Sequence, residues 1–189
     1  TEFVPVRDIA AIGVAIVAIA TVRRTNVTVD LLGPAIGAVG LIAAAVHATN
    51  GAGNISTNLL RVAVGTVFLG AISDAMLLGH WYLVQPGMPR SILNELVDAL
   101  RWILPIEIAV MLMPTGMISV LSGAVDDGWN GTLGWFWVAC AVTTAVLIEV
   151  TRAALKERSY SAVMAATGLL YLAILTAFGT DLVARAVLA

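Results

Sequence analysis

The chain has 189 residues, of which 60% are hydrophobic and 12% charged, with a formal net charge of −2. A soluble domain of this size is about half apolar, with about a quarter of its residues charged; too few charges are present here to cover a water-facing surface, so a soluble globule is excluded. The absence of a basic cluster excludes a nucleic-acid surface, and a single cysteine, Cys140, excludes an internal disulfide and a CxxC redox or zinc motif.

What remains is an all-α, polytopic integral membrane protein, read as one transmembrane domain over residues 1–189. Six apolar segments are each long enough to cross roughly 30 Å of hydrocarbon at about 1.5 Å per residue. The first covers about 5–22, with Pro5 in its first turn and Arg23-Arg24 after it. Its opening residues, TEFVPVRD, lack the basic flank of a secretory signal. The second covers about 29–48 and contains Gly33, Gly37 and Gly40, spaced to let a neighbouring helix approach closely. A polar, uncharged loop, TNGAGNISTN, follows. The third covers about 59–84 and ends at the stop Gln85-Pro86-Gly87-Met88-Pro89.

Residues 91–101 form an amphipathic turn at the membrane surface, with Ile92, Leu93, Leu96, Val97 and Leu100 on one face and Asn94, Glu95, Asp98 and Arg101 on the other. It leads into the fourth span, about 102–121, broken by Pro105 and Pro114. A loop with Asp126 and Asp127 precedes the fifth span, about 132–150, which opens on the interfacial aromatics Trp135, Phe136 and Trp137. The sixth covers about 160–188. Alternation of six spans gathers Arg23, Arg24, Arg90, Arg152, Lys156 and Arg158 on one side, so the excess of basic residues in cytoplasmic loops puts both termini outside the cytoplasm of a bacterial inner membrane.

Chemistry in such a chain is sought among ionisable residues inside the spans, since these are costly in lipid. Asp74 lies ten residues before Val84, about 15 Å in, on a stripe with Thr66, Gly70, Ser73 and His80. Glu107 lies two residues past Pro105. Asp74, His80, Glu107 and Arg101 are therefore the expected proton path or polar pocket, and Gly33, Gly37, Gly40 and Gly70 the expected packing positions. Asp181 and Arg185 read as a local i,i+4 salt bridge, and Glu149 and Arg152 as a similar local pair at i,i+3. By depth, Glu95, Asp98, Arg101, Glu149 and Arg152 share one layer with His80. Asp74 and Asp181 also fall at matching places of the third and sixth spans, as an inverted repeat would have them.

Metals fare less well. His47 and His80 are the only histidines and fall near opposite faces, so together they cannot ligate one haem iron. Met113 and Met117 have a spacing that could offer two thioethers to Cu(I), but methionine in a packed span is ordinary filling, and no metal site is assigned. No nucleotide-binding or hydrolase motif is present. With short loops and no catalytic motif, the sequence points to a small subunit of a larger energy-transducing complex, respiratory or photosynthetic. Its partners would be the lipid bilayer and other membrane subunits, and its cofactor a quinone, or a haem or pigment held by a partner. The alternative is a proton- or ion-coupled transporter of small solutes acting as a homo-oligomer.

Overall fold

The computed structural model describes residues 3–23, 27–49, 54–85 and 87–188. Arg24, positions 50–53 of the polar loop and Pro86 of the proline stop lie outside the described residues. All regular structure among them is helical: α1 (Phe3–Thr21), α2 (Val27–Asp30), α3 (Leu32–Thr49), α4 (Ile55–Val84), α5 (Ser91–Leu112), α6 (Gly116–Leu121), α7 (Thr132–Leu155) and α8 (Tyr160–Leu188). Four stretches are long and apolar enough to cross a membrane: Val27–His47, Ile55–Val84, Thr132–Leu155 and Tyr160–Leu188. The first of these joins α2 to α3, because the Leu31 N–H donates to Val27 O at 3.1 Å and the Ala35 N–H to Leu31 O at 3.2 Å, carrying the helical ladder past the junction.

Helix starts follow from side chains that accept the unpaired first-turn N–H groups. Asn54 Oδ1 accepts the Ser56 N–H at 3.1 Å ahead of α4, and Ser159 Oγ accepts the Ala162 N–H at 3.2 Å ahead of α8. Asp127 does the same for α7, receiving the N–H groups of Gly131 (2.8 Å) and Leu133 (2.8 Å), and that of Trp129 at 2.9 Å. Desolvation is the largest single influence and works to raise the Asp127 pKa, but the N–H groups of Gly131, Trp129, Leu133 and Gly134 together outweigh it and hold the carboxyl below the usual value.

Tertiary contacts gather into two compact units, Thr1–Ala63 and Val64–Ala189. In the first, α1 lies along the glycine face of α3. A methyl group on Gly40 would come 2.7 Å from Ala10 Cβ, whereas on Gly33 or Gly37 it would meet Val17 or Val14 at an ordinary 3.7 Å. The tightest point between the two helices is Gly40. From the α1 side, Gly13 leaves room for Ile36, 3.1 Å from where its Cβ would stand. In lipid, helices gain little from hiding apolar surface, so close backbone approach and dispersion are what hold such a pair.

In the second unit, the part of α4 from Val64 onward packs through Gly65, Phe68, Ile72, Ala75, Gly79 and Tyr82. The main core joins these to Leu93, Val97, Leu100 and Leu104 of α5, Ile148 and Leu155 of α7, and Val163, Ala166, Leu170, Ala173 and Ala177 of α8. A smaller core of Met111, Met117, Val120, Trp137 and Ala184 lies further along. Buried hydroxyls are satisfied by the carbonyl one turn back, as in Thr151 to Leu147 O at 2.7 Å and Thr167 to Val163 O at 2.8 Å.

Two segments differ from the sequence reading. Residues 91–101 are no separate surface turn but the first half of a continuous α5, with Leu93, Val97 and Leu100 buried and Ile92 exposed. Pro105 is accommodated inside α5, and the helix ends only at Leu112, before Pro114. That break also separates the two methionines: Met117 is buried and Met113 exposed, so their sulfurs do not share a face.

Candidate functional site: a buried acid–base cluster

The four residues expected to form one polar pocket occupy three different environments. Arg101 turns to α7, its Nε 2.7 Å from Glu149 Oε1. Alongside, Arg152 Nε lies 2.5 Å from Asp98 Oδ1 and its Nη1 4.0 Å from Glu149 Oε2. These four side chains form an ionic rim between α5 and α7, as their shared depth in the sequence suggested, and Arg101 is thereby taken from Asp74 and Glu107. An open cleft beside the rim is lined by Asn94, Asp98, Arg152 and Lys156.

Asp74 is exposed, on the uncovered face of α4 that also carries Thr66, Val67, Gly70, Leu77 and Trp81. The expected stripe exists as a stripe, but it faces away from the core of its unit, because the apolar and glycine positions one step round the helix take the packed side. Gly70, expected to pack, has nothing within 4 Å of where a methyl group would stand; the close-approach glycines of α4 are Gly65 and Gly79. His80 is exposed too, and meets the Tyr171 ring edge-on at 6.5 Å and 86°. Its neighbour Tyr82 points inward and donates its hydroxyl to Pro89 O, while Tyr160 donates to Leu83 O at 3.1 Å. The two tyrosines thus pin the turn after α4.

Glu107 is the one member of the expected pocket that is fully enclosed, at 0% exposure. Its partners come from α8. Asp181 is 6% exposed and accepts from Arg185 Nε through Oδ2 at 2.7 Å. The local i,i+4 pair read from sequence is present, and it is more than local. Neither oxygen of Glu107, nor Oδ1 of Asp181, meets an N–H or O–H donor, and Asp181 Oδ1 and Glu107 Oε1 converge on one point beside Gly65.

Gly65 of α4 makes the space for this. A Cβ there would stand 2.5 Å from Arg185 Nη2, 2.7 Å from Asp181 Oδ1 and 3.5 Å from Glu107 Oε1. Apolar side chains close the cluster along the axis, one turn away on each helix: Leu104 and Met111 flank Glu107, and Ala177 and Ala184 flank Asp181. The matching places of Asp74 and Asp181 in the sequence therefore correspond to opposite environments.

Sequence reasoning missed Asp181 and Arg185 as partners of Glu107 because depth was counted from assumed span ends. The available signal was the apolar one-turn flanking shared by Glu107 and Asp181. Among the described residues no group of three or more His, Cys, Asp or Glu is arranged to hold a metal ion. What the cluster can do chemically is bind, hold and release a proton. No protein-family model matches the sequence, and neither the curated proteins nor the solved structures yield a match.

Proposed function

We propose that the chain is a small polytopic subunit of a larger energy-transducing membrane complex, of the respiratory or photosynthetic electron-transfer kind. The observation that carries this is Asp74, a carboxyl group on the uncovered face of a membrane-length helix with no partner among the described residues. Placed at the centre of a helix in lipid, an aspartate costs about 2.5–3.5 kcal/mol on insertion scales. A neighbouring subunit that offers a cation or a hydrogen-bond donor removes that cost, and Gly70 beside Asp74 lets its backbone come close. The short connections among the described residues support the same reading, since they leave no room for a catalytic domain.

In this reading the chain has six spans: the four membrane-length stretches, α1, and α5 continued by α6. The basic rim and loops face the cytoplasm of a bacterial inner membrane, both termini lie outside it, and a quinone or a partner-bound haem or pigment is the associated cofactor. Asp74 and His80 then face the partner, where protons move between subunits.

The test is purification from the native membrane in a mild detergent. Redox-active subunits, with their haem, pigment or quinone absorption, are expected at fixed stoichiometry. Asp74→Lys should release them while leaving the helix content and thermal midpoint of the chain itself unchanged. A wild-type chain that runs as a homo-oligomer, and that alone drives proton-linked solute uptake into liposomes, would overturn the reading in favour of a transporter, for which the buried cluster would be the coupling site.

A further inference from the structure

The cluster in the second unit brings two carboxyl groups together without a donor between them. A carboxylate only accepts hydrogen bonds, so two ionised carboxyls in contact repel, and a hydrogen bond between them exists only when one carries a proton. Glu107 has no other donor to turn to, and neither has Oδ1 of Asp181. Arg185 Nε donates to the opposite oxygen of Asp181, at 2.7 Å. Bulk solvent does not reach Glu107 to stabilise a second charge, because the residue is fully enclosed.

We propose that Glu107 and Asp181 hold one proton between them, forming a proton-binding carboxyl pair inside the second unit, with Arg185 keeping Asp181 in place. Asp181, bonded to the guanidinium, is the member that stays ionised, and Glu107 is the member that carries the proton and donates it to Asp181 Oδ1. Loading and release move only that proton on and off a carboxylate oxygen; no bond between heavy atoms changes. The pair titrates as a unit, so its apparent pKa values belong to both residues together.

Among the described residues of the second unit, the groups facing it are few. The packed side of α4 from Val64 onward carries Gly65, Phe68 and Ile72. On the α6 side are Gly116, Met117 and Val120. Of α7, Trp137 joins the adjoining small core, and the thiol of Cys140 lies against α8 at Gly179, 2.8 Å from where its Cβ would stand. The inference is independent of which assembly the chain belongs to. It concerns a site inside one chain, whereas the proposed function turns on the open face of α4.

The experiment is infrared spectroscopy of the full chain in lipid nanodiscs, across roughly pH 5 to 9, which lies above the value of about 4 for a free carboxylic acid. The wild type should show the C=O band of a protonated carboxyl group that persists above the ordinary range of carboxylic acids. Glu107→Gln should abolish it. Asp181→Asn should shift it or abolish it, because Glu107 then loses the competing charge and faces an amide whose N–H groups can donate to its carboxylate. Asp74→Asn should leave it unchanged. Should either cluster variant fail to fold, isotope labelling of glutamate alone and of aspartate alone in the wild type reads the same question, and the band is expected to follow the glutamate label. A wild type without such a band at any pH, a band indifferent to both cluster variants or to the glutamate label, or a band displaced by sodium at constant pH would overturn the assignment.

Discussion

Asp98, Arg101, Glu149 and Arg152 at one level of the second unit, and Glu107, Asp181 and Arg185 at another, are built from the same functional groups and from one shared helix, α5. The first set joins α5 to α7 with side chains between 36% and 54% exposed. The second joins α5 to α8 with Glu107 at 0% exposure. At the rim each acid has a cation, and water can take over whenever a pair opens. In the enclosed cluster three carboxyl oxygens have no donor at all. The surroundings therefore decide the role. Exposed pairs lend orientation and little energy, while an enclosed acid must be paired or protonated.

Removing one cation from each cluster should separate them most widely. Arg185→Met leaves Asp181 enclosed without its partner, and about 3–5 kcal/mol of stability should be lost. Arg152→Met at the rim should cost no more than about 1 kcal/mol. Unfolding of the two variants by denaturing detergent, compared with the wild type, measures both; equal losses would end the distinction.

A finer version uses two glycines of α4. Gly65→Ala pushes a methyl group into the Arg185–Asp181 pair and should cost about 1–3 kcal/mol, as overpacking does. Gly70→Ala, with open space around it, should be neutral or gain roughly 0.5–1 kcal/mol from reduced backbone freedom. The same unfolding assay reads both, and a costly Gly70→Ala would mean that this face is already covered.

Salt gives a smaller effect. The double substitution Arg101→Met with Glu149→Gln should show a coupling below about 1 kcal/mol that shrinks as ionic strength rises past the point where the screening length is about 10 Å. The corresponding cycle of Arg185 with Asp181 should not respond to salt. Coupling energies from four-variant cycles at low and high salt test this.

The smallest effect concerns Asp127, a half-buried acid whose partners are backbone N–H groups. Its folded pKa is depressed, so its contribution to stability is fully present above the unfolded value of about 3.9 and fades as pH falls through the folded value. Asp127→Asn should therefore lower the thermal midpoint slightly at neutral pH, with the gap to the wild type closing in acid. A gap that widens in acid would show that the carboxyl is not what starts α7.

The rim was legible from sequence because its members sit at helix ends, where counting residues from a span boundary gives a usable depth. The glycine seam of α3 was legible as well, since a repeat at helical spacing has one geometric meaning whichever helix fills it. Depth counting failed for Glu107, whose helix ends at Leu112 before Pro114 instead of running to residue 121. It also mispaired Arg101, which had several acids at similar depth and no sequence feature to choose among them.

The sequence by itself determined that the chain is helical, that it has membrane-length apolar stretches, and which residues would be expensive inside them, because composition and a local period set those properties. Only the tertiary structure decided which expensive residue is enclosed and which is left open. A helix has a face toward its neighbours and a face away from them, and the choice between Gly65 and Gly70 for the packed side depends on what α5 and α8 bring to it. That choice turned Asp74 outward and enclosed Glu107 against Asp181, so two acids that look alike in the sequence have different electrostatic surroundings.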